Sequence, residues 1–329
     1  MNLKKVLLIM LLIAIILAVI VLGISVTPKN KSNENKIRIT VSNFASYDFL
    51  RAIIGDTETI DLVFLLGPGK DTHSYELTAQ DLITIQESDA FVYVGENVEK
   101  WSTKIIETLD MNNTKVLCIS EDIDVEKKET EHLHSKENDV ENHEGEHHHG
   151  LNAFDEHIWT SPENAIIMIK KLEKMLSEID KENEFIYKEN SQKYINEIEN
   201  VDQKIQKIVN DKVRNRLVFG DKMPMQYFID YYSLDVLAAF TGCSTETEPS
   251  ASIIANLVDV VKNENIPVVL YIEMGNEKVA NTIVREVGGE CEAMQIQTLH
   301  NVSKEDFENG ETWVTLMERN LEVLKKGLL

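Results

Sequence analysis

From Ile37 onward, short runs of β-branched and aromatic residues alternate with stretches whose apolar positions recur every three or four residues. Ile37–Val41 (IRITV), Thr59–Leu66 (TIDLVFLL), Ala90–Val94 (AFVYV) and Lys115–Ile119 (KVLCI) have the length and composition of strands buried on both faces. Helices are predicted between them: from the lead-in Ser42–Asp48 through Ile54, from Leu77 onward, and over Glu99–Leu109. Strands alternating with helices imply a parallel sheet covered on both faces. The pattern returns later, with strands at Arg216–Gly220, Asp235–Phe240 and Pro267–Ile272, and helices at Gln226–Tyr232, Ser250–Lys262, Glu277–Val287 and Thr312–Leu324. A strand expected after Val287 is poorly marked.

Two longer helical stretches separate the halves. Ser161 and Pro162 supply an N-cap and a first helical residue, and Ala165, Ile166, Ile169, Leu172, Met175 and Leu176 keep helical spacing to Ile179. The next helix runs from Glu182 to Asp211, with Tyr194, Ile198, Val201, Ile205 and Ile208 in one stripe. Its 30 residues reach about 45 Å, enough to cross between lobes. The expected fold class is α/β: two lobes, each with a mainly parallel sheet flanked by helices, joined by one long rigid connecting helix. Residues 37–160 are the N-terminal lobe, 161–212 the helices with the connector, and 213–329 the C-terminal lobe.

Two segments break the pattern. Lys4 and Lys5 precede an uncharged apolar run, Val6–Val26, so residues 1–26 are a signal sequence or an N-terminal membrane anchor. Either one exports the rest of the chain. Gly23-Ile24-Ser25 offers small residues for cleavage, whereas the length of the run favours an anchor. No cysteine follows it, which excludes a lipid-modified N-terminal cysteine. Residues 27–36 are polar and read as a linker. Residues 121–150 contain eleven acids, three lysines and six histidines. Such a segment buries too little apolar surface to offset its chain entropy, and is expected to be a disordered insertion.

Composition narrows the partners. A formal net charge of -23 over 329 residues excludes nucleic acid and anionic lipid surfaces. The three cysteines, Cys118, Cys243 and Cys291, lack zinc-thiolate spacing, and their odd number leaves at least one unpaired. An exported chain permits a Cys243–Cys291 bridge, but sequence does not give the distance.

Outside the insertion there are three histidines: His73, His157 and His300. His73 follows the strand ending at Leu66, at the carboxyl edge of a parallel sheet, where open α/β folds bind ligands. His157 lies in a loop before a helix, and His300 in the last loop of the second half. Neutral imidazole is the commonest side-chain ligand for zinc, and two or three with a carboxylate make a four-coordinate site.

Gly69-Lys70-Asp71-Thr72-His73-Ser74-Tyr75-Glu76-Leu77-Thr78-Ala79-Gln80-Asp81 resembles the D-P-H-x-Y-E-x-T-x-x-D signature of zinc/manganese-type substrate-binding proteins of ABC transporters. Asp155-Glu156-His157-Ile158-Trp159 is similar to that family's D-x-H-x-W motif, and Glu246-Thr247-Glu248-Pro249-Ser250 to its E-x-E-P-S segment. The likeness spans residues 37–327, and the His-rich insertion is typical of the zinc-binding branch. The resemblance implies metal held between two lobes and handed to a membrane permease, with no catalysis. It also implies two histidines from the first half, and a histidine and a carboxylate from the second. This chain departs at two places. Gly220-Asp221-Lys222 stands where the third histidine belongs, and Gln297 where the aspartate belongs. His300 is then the substitute donor, and Glu273 and Asp221 compete for the fourth place.

Three nitrogens and one oxygen suit Zn2+; Mn2+, the alternative, prefers more oxygen ligands. The insertion histidines His132, His134, His143, His147, His148 and His149 are read as a low-affinity antenna or a sensor of excess metal. A monomer is expected. A zinc hydrolase is a rival class, but no H-E-x-x-H helix and no general base is marked. A surface adhesin is another, and it predicts host-protein binding independent of metal. Deleting residues 121–150 should lower zinc stoichiometry and slow uptake at scarce zinc. If a zinc titration and an uptake assay both match the full chain, the antenna role is wrong.

Overall fold

The carboxyl edges of two sheets carry the loops of interest, and the chain reaches them in the expected order. The computed structural model describes residues 36–70, 75–95, 99–121, 123, 157–240 and 249–329. The apolar N-terminal run, most of the linker, His73, the six insertion histidines and Cys243 lie outside the described residues. Among the described residues no helix is long and apolar enough to cross a membrane.

In the first lobe β1 (Ile37–Val41), α1 (Phe44–Ile54), β2 (Ile60–Phe64), α2 (Ala79–Gln86), β3 (Ala90–Tyr93), α3 (Lys100–Ile106) and β4 (Lys115–Cys118) follow one another. All strand pairs are parallel, in the order β2-β1-β3-β4. Two long helices come next, α4 (Pro162–Ile179) and α5 (Glu184–Asn210). The second lobe contains β5 (Arg216–Phe219), α6 (Gln226–Tyr231), β6 (Asp235–Ala238), α7 (Ala251–Asn263), β7 (Val268–Ile272), α8 (Lys278–Val287), β8 (Glu292–Ile296), α9 (Lys304–Glu308) and α10 (Trp313–Leu328). Its sheet is also parallel and repeats the topology as β6-β5-β7-β8.

β8 is the strand the hydrophobic pattern marks poorly. Among the described residues it pairs only with β7, and Glu292 and Gln295 on it are exposed, so its composition is that of a sheet edge. α9 was not predicted. It is a five-residue helix whose N-cap is Ser303, with Asp306 N–H donating to its hydroxyl at 3.0 Å. α10 runs past Leu324 to Leu328 because both leucines are fully buried.

α5 has 27 residues, about 40 Å of helix. Tyr187, Tyr194, Ile198, Val201 and Ile205 form its buried stripe. It packs on α1, α4 and α10, and α10 returns from the second lobe to touch α1. One continuous hydrophobic core results. It holds Ile39, Val41 and Phe44 of the first lobe together with Leu217, Phe219 and Leu270 of the second. Each sheet has a separate core on its other face.

A buried carboxylate fastens the three elements that share the central core. Asp48 of α1 accepts from Arg51 Nη2 at 2.6 Å, from the Trp313 backbone N–H of α10 at 2.7 Å, and from the Tyr194 hydroxyl of α5. Arg51 continues to the Glu311 carbonyl at 2.7 Å. Burial pushes the Asp48 carboxyl above its ordinary value, while Arg51, Trp313 N–H and Tyr194 oppose that rise. Asp48→Ala takes the acceptor from the Tyr194 hydroxyl and the buried Trp313 amide and leaves Arg51 with its backbone carbonyl partners alone. It should therefore cost about 3 kcal/mol or more, read from urea unfolding; a loss under about 1 kcal/mol would contradict this role.

Glu99, at the carboxyl end of β3, is the second buried carboxylate of the lobe. It accepts the Val94 N–H at 2.8 Å, and burial lifts its carboxyl from 4.5 to about 7. The folded chain therefore holds this proton more tightly than the unfolded chain does, so stability is lost as pH rises through about 7. Glu99→Gln should gain stability relative to the parent chain between pH 5 and pH 8 in chemical unfolding. A difference that does not change with pH would contradict it.

Candidate metal site

The last loop of the second lobe, Gln297–Ser303, leaves the carboxyl edge of β8 and carries His300. Leu299, just before it, has a left-handed backbone at φ 56° and a fully buried side chain. A non-glycine residue held there costs on the order of 1–3 kcal/mol and persists only where the surroundings over-determine it. Here they do. Glu273, just after β7, accepts Thr298 N–H on Oε2 at 2.7 Å. Its Oε1 accepts the Thr298 hydroxyl at 2.7 Å and His300 N–H at 3.0 Å. Asn320 of α10 brackets Gln297, accepting its N–H at 2.8 Å and donating to its carbonyl at 2.8 Å.

His157 opens a 3₁₀ turn, Ile158–Thr160, and is fully buried. Its carbonyl accepts the Thr160 N–H at 3.1 Å and the Thr160 hydroxyl at 2.8 Å. Trp159 ties this turn to the other loop, its Nε1 donating to Thr298 O at 3.0 Å. The Trp159 carbonyl in turn accepts Trp313 Nε1 at 2.8 Å. These bonds bring His157 Nε2 and His300 Nδ1 to 2.7 Å, across 143 residues of sequence.

A 2.7 Å contact between two ring nitrogens is a hydrogen bond, with one proton between them. Two nitrogens on one tetrahedral zinc, each about 2.0–2.1 Å from it, stand about 3.3 Å apart. Widening the contact by roughly half an ångström turns the pair into two metal ligands, and the shared proton leaves.

Among the described residues, no group of three or more His, Cys, Asp or Glu converges on one point. Glu273 uses both oxygens on the loop that bears His300, and burial pushes its carboxyl up to about 7 against those same hydrogen bonds. Asp221, after β5, accepts Lys222 N–H at 2.8 Å and Ile272 N–H at 3.3 Å, stitching the ends of β5 and β7. A side chain at Gly275 would fall 2.1 Å from Asp221 Oδ2, so glycine is required there. Gln297 points its amide at Gln295 Oε1, 3.1 Å away.

His73 lies outside the described residues, but the chain on both sides of it is placed. Upstream, Gly69 N–H donates to Val302 O at 2.8 Å, bringing the segment after β2 against the His300 loop. Downstream, the motif residues Tyr75, Thr78 and Asp81 form the start of α2. Asp81 Oδ2 accepts the Tyr75 hydroxyl at 2.7 Å and the Thr78 N–H at 2.8 Å, closing a capping box with Thr78. The spacing of that motif thus fixes a helix start.

Sequence alone did not indicate Thr298, Asn301 or Asn320, and it marked Trp159 only as the last residue of the D-x-H-x-W motif. Asn320 left a trace, as a polar residue on the buried face of α10 beside Leu316, Met317 and Leu324.

Known proteins resemble this chain in sequence and in fold. The zinc-binding lipoprotein AdcA of Streptococcus pneumoniae is 29% identical over 300 residues, covering 90% of this chain and 56% of its own length. This chain thus spans a little over half of that relative. The high-affinity zinc uptake system protein ZnuA of Bacillus subtilis is 29% identical, covering 91% of this chain and 89% of its own. Among solved structures, the Zn(II)-bound ZnuA-like domain of Streptococcus pneumoniae AdcA is similar with a TM-score of 0.72 and 26% identity, over 89% of this chain and 99% of that one. The metal-dependent lipoprotein YcdH of Bacillus subtilis gives 0.74 and 25%, over 89% and 100%. The family model described as zinc-uptake complex component A, periplasmic (ZnuA), matches residues 39–327, so this chain belongs to that family.

Proposed function

We propose that the chain is an extracytoplasmic substrate-binding protein that captures Zn2+ between its lobes and passes it to the permease of an ABC importer. The observation that carries this is the His157–His300 contact: two imidazoles from distant parts of the chain, held 2.7 Å apart. His73 is the third donor, supplied by the loop whose upstream end rests on the His300 loop. The fourth donor is an oxygen. Glu273 and Asp221 already accept backbone N–H groups, which favours water over either carboxylate. Nitrogen-rich ligation selects zinc over manganese. The names of the relatives, a zinc-binding lipoprotein and a zinc uptake protein, support the same cargo.

No reaction is assigned; the imidazoles replace the water around the ion and later give it back. The acidic surface raises the local concentration of cations, and the histidines of residues 121–150 act as a low-affinity antenna or as a sensor of excess metal. The N-terminal run keeps the protein at the outer face of the membrane, as an anchor or until cleavage. The protein works as a monomer.

Calorimetry should show one tight zinc site, with manganese weaker. His157→Ala and His300→Ala should each weaken zinc binding by on the order of 100-fold or more, since loss of an outer-shell partner alone costs about 10–100-fold. Binding should also weaken on acidification, because protons compete with the ion for the imidazole nitrogens. Parent-like affinity in either variant would defeat the assignment.

A further inference from the structure

The loop that carries His300 is bonded on several sides. Glu273 and Asn320 fix it to its own lobe, and Trp159 fixes it to the turn bearing His157. Further bonds from it reach the first lobe. Asn301 Nδ2 donates to Gly67 O at 3.3 Å and also to Lys70 O, while Gly69 N–H donates to Val302 O at 2.8 Å. Asn301 is buried, and its Oδ1 accepts Val302 N–H at 2.7 Å. That bond fixes which way the amide faces: the oxygen is used locally, and the NH2 group points at two carbonyls of the other lobe. A hydroxyl has one proton to give, so serine or threonine could not serve both carbonyls.

Resting on the zinc-capture reading, we propose that Asn301 is a latch, a positioning residue that sets how long captured zinc is held. Gly67–Lys70 lead in sequence to His73, three residues beyond Lys70. Asn301 directly follows His300. The latch and the metal therefore join the same two loops, and each favours the closed arrangement that the other needs. That is a coupling free energy between two events, and it is reciprocal. Without the latch, breaking one metal–imidazole bond lets the loops part before the bond re-forms. With it, the loops stay together and the bond closes again. The Gly67 and Lys70 carbonyls also lose a donor when the side-chain amide is removed, which weakens the closed state further.

The test is stopped-flow release of zinc from the full-length chain into excess chelator. Asn301→Ala and Asn301→Leu should both release zinc about tenfold faster, with a smaller change in association rate. Leucine keeps the side-chain volume but cannot donate. A purely space-filling role would therefore be rescued by leucine and not by alanine. Release by the leucine variant within about twofold of the parent overturns the latch. Amide exchange at Gly69 in the zinc-loaded parent chain is a second measurement that needs no variant. Protection supports the latch, and exchange at the rate of an open loop overturns it. If the parent chain takes up no zinc, the capture reading falls and the latch with it. If it takes up zinc and both variants release at the parental rate, only the latch falls.

Discussion

Holding two imidazole nitrogens within hydrogen-bond reach, with one ring buried and the rings on loops 143 residues apart, requires that both loops be immobile before any metal arrives. Each loop takes its rigidity from the same place. Trp159 is bonded to Thr298 on one side and to Trp313 on the other, so the turn bearing His157 is pinned to the second lobe and to α10. α10 in turn supplies Asn320 to the His300 loop and the Trp313 amide to Asp48. The geometry of the imidazole pair thus grows out of the central core and not out of the loops themselves. Donors placed in this way lose little conformational freedom when they bind an ion, which is the advantage of a preorganised site.

The same arrangement bears on motion. α5 runs beside both lobes, and the central core includes residues from both sheets. A hinge between such lobes would have to expose that core, and apolar surface costs roughly 25 cal/mol per Å² to expose. Release of the ion by large rotation of the lobes is therefore disfavoured. Local opening of the loops that meet at Gly67–Lys70 and Asn301–Val302 exposes far less and breaks only a few hydrogen bonds. On the proposed capture reading, uptake and loss of the ion belong to these loops.

Much of this was legible in the sequence, and the exceptions have physical causes. Buried parallel strands advertise themselves, Ala90–Tyr93 as an unbroken apolar run and Ile37–Val41 as a run rich in β-branched residues, and the connector as a single stripe from Tyr194 to Ile208. β8 did not, because an edge strand with exposed Glu292 and Gln295 lacks that signature. α9 is too short to show a period. The histidines stood out because so few exist outside the insertion. The use of Glu273 did not stand out. An acid at a strand end reads equally well as a ligand or as a backbone acceptor, and only its bonds to Thr298 and His300 distinguish them. Asn301 was silent for a similar reason. An asparagine in a loop is ordinary, and its partners at Gly67 and Lys70 lie more than 200 residues away.

The central claim is that His157 and His300 share one ion. Anomalous diffraction at the zinc edge from zinc-loaded crystals tests it most directly. The account predicts a peak about 2.1 Å from both His157 Nε2 and His300 Nδ1, with those nitrogens about 3.3 Å apart. A zinc peak that touches neither ring, with the two nitrogens still in hydrogen-bond contact, would contradict it.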